Sequence, residues 1–168
     1  MIVEEARRMH RVVTAHVHGK EGIMTVLNAG CKTLEHGTYL DEEAMNHMKE
    51  KEAILIATRI IAKEALKNKN LLSPESQAKM VKFAKVGERM YKEAIKSGVK
   101  IVLGTDLGMS IPGLGLSRGN NAGELAYAAE AGMTSLEAIE AATANALETL
   151  DPQASLRYFK LNMRDSFS

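Results

Sequence analysis

The strongest constraint in this chain is a repeated order: an apolar run short enough for a strand, then a stretch long enough for a helix. Three such runs are apolar, VVTAH at 12–16, AILIAT at 53–58 and VKIVL at 99–103, and a fourth, CKTLEH at 31–36, reads as a strand by the alternation of Cys31, Thr33 and Glu35 with Lys32, Leu34 and His36. The stretches between them exceed a dozen residues, the length that joins parallel neighbours rather than hairpins. Helical signals fill these stretches. Residues 2–10 put Ile2, Ala6 and Met9 on one face, residues 20–28 do the same with Ile23, Met24 and Leu27, and Gly30 ends the second helix. Asp41 is placed to cap a helix over 42–52, whereas 60–69 suits no single reading. Ser73, Pro74 and Glu75 combine an N-cap, a first-turn proline and a first-turn acid, which predicts a long helix from Pro74 to Ser97 closed by Gly98.

After the fourth run, GTDLGMSIPGLGLSRGNN reads as a glycine-rich loop. Asn120 or Asn121 then starts a helix through Ala131, and Thr134 with Glu137 spells a capping box for the next. The tail from Asp151 has no period and reads as frayed, or as an arm over an exposed surface. The fold class expected is α/β with four parallel strands and flanking helices, either an open doubly wound sheet or part of a (β/α)8 TIM barrel. A complete barrel takes about 250 residues and eight strands, so 168 residues supply about half. Residues 1–150 form the expected domain and 151–168 the divergent tail.

The ionisable residues fall at the strand ends. His16 and His18 close VTAHVHG, His36 closes TLEHG and Asp106 closes VLGTD, and parallel α/β folds place their chemistry at the carboxyl ends of strands. Imidazole nitrogens and a carboxylate oxygen suit Zn²⁺. Taken singly, each of these groups is equally at home in an ordinary hydrogen bond, and the two histidines of HVH share a face only while the strand stays regular. His10 and His47 lie in helical segments and read as surface residues, and Cys31 opens a strand, which suits packing. Glu35 either orients a ligand or pairs with a lysine. The GLGLSRGNN segment lacks GxGxxG and a Walker Lys-Ser/Thr, so it reads as a rim loop. Arg59 and Arg118 have two readings, a forked contact to a substrate carboxylate or a solvated side chain.

Composition removes other classes. Lys plus Arg total 22 against 21 Asp plus Glu, with no Trp and 4% aromatic residues, so neither a basic nucleic-acid footprint nor a stacking platform is supported. No apolar run reaches the roughly 20 residues of a membrane span. The opening MIVEEARRMHR is no secretory h-region. One cysteine excludes an internal disulfide and suits a reducing compartment, so a cytoplasmic protein is expected, with no nucleic-acid or membrane partner.

Together VTAHVHG, AGCKTLEHGTYLDEE, VKIVLGTD and EAGMTSLEAIEAATANALETL resemble the metal-dependent amidohydrolase superfamily, in its branch of imidazolonepropionase-like enzymes and Xaa-Pro dipeptidases. The resemblance spans residues 4–150. It implies a TIM barrel holding one or two divalent metals, usually zinc. In that family the first strand gives a His-X-His pair, the fourth often a carboxylated lysine, the fifth and sixth one histidine each, and the eighth an aspartate. By this resemblance His16 is the fifth-strand ligand and His36 the sixth. Asp106 is the eighth-strand aspartate, a metal ligand that also handles the proton of the attacking water. His18 is a companion group that contacts substrate or supports the ligands, and AILIAT is the seventh strand. The sequence carries no counterpart of the first four strands, so the four strands correspond to the second half of the barrel. It departs from the branch at Arg118, where a histidine commonly precedes Gly and Asn, and after Leu150. The implied activity is metal-dependent hydrolysis of a C–N bond in an amide, cyclic amide or dipeptide. One Zn²⁺ is expected, and a second if a complementary half-barrel chain supplies ligands. The alternative is a non-catalytic half-barrel fragment that self-associates or needs such a chain.

Overall fold

The strands pair strictly in chain order. In the computed structural model, which describes residues 1–71, 73–108, 110 and 116–150, β1 (Thr14–Val17), β2 (Thr33–His36), β3 (Ile54–Ala57) and β4 (Ile101–Leu103) form one four-stranded sheet of order β1-β2-β3-β4. Every pairing is parallel. Before β1 comes α1 (Ile2–Arg8); the connections carry α2 (Lys20–Ala29), α3 (Glu42–Glu50), α4 (Arg59–Lys67) and α5 (Pro74–Ser97). After β4 follow α6 (Gly123–Ala131), α7 (Ser135–Ala142) and α8 (Ala144–Leu150). This is the parallel sheet with flanking helices expected for half of a (β/α)8 barrel. No described helix is long and apolar enough to cross a membrane.

Register decides which side chains meet the helices. Ala15, Leu34, Leu55 and Ile101 lie in one row across the sheet. Leu34, Leu55 and Ile101 join Ile23 and Leu27 of α2, Met45 and Met48 of α3, and Met90 and Ala94 of α5 in the core. With so few aromatic residues, burial of these aliphatic groups at about 25 cal/mol per Å² is the main favourable term. The neighbouring row, His16, Glu35, Ile56 and Val102, points to the other face, where His16 is exposed and Glu35 and Ile56 are half-buried.

Local side-chain capping explains the starts of α3, α5 and α7. Asp41 Oδ1 accepts from the Ala44 N–H at 3.0 Å, Ser73 caps α5 through the Ser76 N–H, and the Thr134–Glu137 capping box is present in both directions. Four expectations need correction. Residues 60–69 are not ambiguous: α4 begins at Arg59, directly after β3. Neither Asn120 nor Asn121 caps α6. Residues Arg118–Asn120 make a 3-10 turn, the N-cap position falls to Ala122, and Asn121 Oδ1 instead accepts from the Thr105 hydroxyl at 3.3 Å. The helix begun at Thr134 breaks at Thr143 (φ −130°, ψ −80°), so among the described residues three helices follow β4 rather than two. Within β2 the alternation of Thr33 and Glu35 against Leu34 and His36 fails at its last residue, because His36 leaves the regular strand conformation at φ +73°. The expectations for residues 111–115 and for the 151–168 tail fall outside the described residues.

Gly37 links β2 to the loop that follows it. Its φ of +57° is left-handed, and a Cβ there would meet Leu55 Cδ1 at 2.8 Å. Gly98 is also left-handed (φ +74°) but faces open space. Gly98→Ala should therefore cost about 1–2 kcal/mol of backbone strain, and Gly37→Ala should cost more because Leu55 must also move. Urea denaturation of both variants checks this; equal losses would show that the Leu55 contact carries no weight.

Candidate metal centre

β1 delivers His16 to the sheet face away from the helices, and the chain carries His18 two residues further. By regular alternation His36, the last residue of β2, would follow Leu34 to the helix side. It does not, because His36 adopts φ +73°, a left-handed conformation that is costly for a residue with a side chain and concentrates at functional sites. Its ring lies beside that of His16, with His36 Nε2 2.9 Å from His16 Nδ1. The centroid of His18 is 4.8 Å from that of His36 in a stacked pair and 5.0 Å from that of His16. One ligand nitrogen from each of the three histidines falls within 4.8 Å of the others. Two of the rings are held from behind: His18 Nδ1 is 2.8 Å from Thr38 Oγ1 and His36 Nδ1 is 2.7 Å from Thr58 Oγ1. Such partners fix the tautomer and orientation of an imidazole.

Electrostatics favour neutral rings. Burial pushes the pKa of His36 down, and the neighbouring His16 lowers it further while Asp106 opposes the shift. His18 is also lowered, first by burial and then by His36 and His16, again against Asp106. Neutral imidazoles carry the free lone pair that a metal ion requires. Nitrogens on a tetrahedral zinc with bonds of 2.0–2.1 Å stand about 3.3 Å apart, a separation the three rings bracket. The donor set therefore fits a borderline divalent ion.

Asp106 lies beyond β4 at φ +56°. It lines the same cavity of about 210 Å³ as the three histidines without joining their cluster. The far wall of this cavity is apolar: Ile61, Ala62 and Ala65 from α4, and Met80 and Phe83 from α5. The Phe83 ring stands edge-on to His18 at 5.4 Å.

The remaining sequence candidates separate. Arg59 borders the cavity but is buried, with its guanidinium donating to the Ala84 carbonyl at 3.3 Å. Gly87 leaves room for that guanidinium, since a Cβ there would collide with it. Arg118 stands apart from the cavity, and its Nε and Nη2 both donate to the Gly108 carbonyl, tying two parts of the rim loop together. Glu35, opposite His16 in the β1–β2 pairing, accepts from the Thr14 hydroxyl at 2.9 Å. Cys31 is buried, as packing required. His47 bonds Asn28 and Glu50 on the helix surface.

Sequence reasoning missed Thr38, Thr58, Phe83 and Glu124. The threonines carried a faint signal, one in HGT after β2 and the other closing AILIAT. Glu124 is a carboxylate in the first turn of a mostly apolar helix, GELAYAAEA. It is 2% exposed and accepts from the backbone N–H groups of Arg59 and Ile60. Burial lifts its pKa to about 7 against those two bonds and the nearby Arg59 charge.

Residues 1–151 match the profile of the amidohydrolase family. Ochratoxinase of Aspergillus niger is 50% identical over 158 residues, covering 93% of this chain and 31% of the relative. The solved A. niger ochratoxinase superposes with a TM-score of 0.80 over 91% of this chain and 34% of that one. A solved Xaa-Pro dipeptidase with bound methionine in the active site gives a TM-score of 0.75 at 31% identity, over 88% of this chain and 36% of that one. The chain spans about a third of the length of the curated relatives it matches.

Because the folded state keeps His18 and His36 neutral, their contribution to stability is present above the ordinary midpoint of 6.5 and is lost as the pH falls below it, where the unfolded chain takes up protons first. NMR titration of the metal-free protein should place both ring midpoints below 6.5. His36→Gln should move the His18 midpoint upward, since one charge opposing its protonation is gone. An unmoved His18 midpoint would contradict the coupling.

Proposed function

Since the chain belongs to the amidohydrolase family, we propose that its histidine cluster is the metal-holding part of a hydrolase that cleaves C–N bonds, with Zn²⁺ as the ion. The observation that carries this reading is the convergence of His16, His18 and His36 at the carboxyl ends of adjacent parallel strands, with Asp106 on the same cavity. His16 and His36 would hold the ion, with Asp106 as the carboxylate ligand. His18 is the companion group, its Nδ1 occupied by Thr38 and its Nε2 left for substrate or metal. When bound, the ion supplies a Lewis acid that polarises a carbonyl and acidifies water. Asp106 accepts the proton of the attacking water and returns it to the leaving nitrogen. The apolar wall from α4 and α5 excludes water and receives the apolar part of an amide or dipeptide. Arg59 shapes that wall and Arg118 sets the rim loop, at one remove from substrate.

Four strands make half a barrel, and β1 and β4 each pair on one side only among the described residues. A complementary half-barrel chain or a second copy would pair with those edges and, by supplying ligands, would complete a second zinc site. A reducing, cytoplasmic setting suits the buried thiol of Cys31. The second reading, a half-barrel that associates without catalysing, shares that one-sided pairing of β1 and β4.

Purified chain dialysed against Zn²⁺ should retain about one ion per protomer. His16→Ala or His36→Ala should weaken binding at least about a hundredfold and His18→Ala less, as a three-ligand site falls to two. In the assembled enzyme Asp106→Asn should lower turnover of dipeptide or amide substrates about 10²–10⁴-fold. Zinc analysis with calorimetric titration, and release of the free amine, check the two expectations. No retained zinc, or turnover indifferent to Asp106→Asn, would refute the hydrolase reading in favour of the non-catalytic one.

A further inference from the structure

The N-terminus of α4 is capped from the wrong residue. Thr58 occupies the N-cap position, where a threonine hydroxyl ordinarily accepts from an N–H of the first turn, yet it makes no such bond. Its hydroxyl stands 2.7 Å from His36 Nδ1 instead. The first two N–H groups of the helix donate to one carboxylate that arrives from α6: Arg59 to Glu124 Oε1 at 2.7 Å and Ile60 to Glu124 Oε2 at 2.6 Å. A buried carboxylate is costly, and here it does work that the local threonine is chemically able to do. On its other side Thr58 is anchored by β3, where the Ala57 carbonyl accepts from the Gly104 N–H at 2.7 Å.

We infer that Glu124 is a positioning residue for the metal centre: by capping α4 in place of Thr58, it releases the Thr58 hydroxyl to hold the outer nitrogen of His36. Without the carboxylate, two buried N–H groups lose their acceptor, and the nearest oxygen able to replace it is that hydroxyl, so Thr58 turns to the helix and His36 is freed to rotate. The relay runs from α6 through the α4 terminus to β2, and no member other than His36 belongs to the imidazole cluster.

The test uses the full chain and four variants: Thr58→Val, Thr58→Ser, Glu124→Gln and the double variant Thr58→Val/Glu124→Gln. The first readout is the ¹⁵N signal of His36 Nδ1 in metal-free protein. The second is zinc affinity by competition with a chromophoric chelator. Thr58→Val should cut zinc affinity about 10–100-fold, the range typical of removing a partner that orients a ligating histidine, and Thr58→Ser should restore it to within about threefold. Glu124→Gln should shift the His36 Nδ1 signal in the direction that Thr58→Val shifts it, leave His18 unmoved and lower zinc affinity about tenfold. Because both changes act through one hydroxyl, adding Glu124→Gln to Thr58→Val should cost less than about twofold more. Should Glu124→Gln not fold, Glu124→Asp, whose shorter carboxylate cannot span both N–H groups, should show the same shift at smaller amplitude. Only the zinc arm rests on the metal reading proposed above. Wild-type protein that binds no zinc contradicts that reading and leaves the ring signal to decide the relay. A His36 Nδ1 signal untouched by Glu124→Gln, with only the melting temperature lowered, overturns the relay and makes Glu124 a structural cap; so do effects that multiply in the double variant.

Discussion

The left-handed backbone at His36 is the constraint on which the candidate site depends. Parallel pairing sets β2 beside β1 with Val17 opposite His36, and regular alternation would bury that imidazole among the helices. The turn at φ +73° brings it instead to His16, at 2.9 Å between ring nitrogens. A strained residue persists only where its surroundings determine it, at a typical cost of about 1–3 kcal/mol. At His36 those surroundings are Gly37 behind it, free of a Cβ that would strike Leu55, and the Thr58 hydroxyl on its outer nitrogen.

Burial does opposing things around this point. It keeps His18 and His36 neutral, which leaves lone pairs for a metal ion. A few residues away it holds a carboxylate and a guanidinium, Glu124 and Arg59, in nearly full exclusion from water. Burial lowers the Arg59 pKa and raises that of Glu124 to about 7. That arrangement costs desolvation energy, offset by two backbone hydrogen bonds to the carboxylate and one from the guanidinium to Ala84. The expense is intelligible if this corner of the fold supports the site and not the core alone.

Features whose causes are local were legible in the sequence. Asp41, Ser73 and the Thr134–Glu137 pair announce their helices because a cap bonds within three residues of itself. The four strand-like runs sit within two residues of the strands, and the helix from Pro74 to Ser97 has the expected ends. What stayed hidden depends on partners far away in the chain. Residues 60–69 looked ambiguous because the cap of α4 is supplied by Glu124, 64 residues beyond Ile60. Asn121 failed as a cap because Thr105 holds its side chain. At the site, position at strand ends singled out His16, His36 and Asp106. Period alone could not show that the His36 ring would stand 4.5 Å from that of His16 and 4.8 Å from that of His18, because that approach comes from the left-handed turn at His36.

The central claim is that these imidazoles act as one metal centre, and X-ray absorption at the zinc edge of the loaded full chain tests it most directly. The account predicts a nearest shell of nitrogen and oxygen atoms at about 2.0–2.1 Å, with outer scattering from at least two imidazole rings that diminishes in His36→Ala. A shell of oxygen alone, with no imidazole scattering to lose, would contradict it.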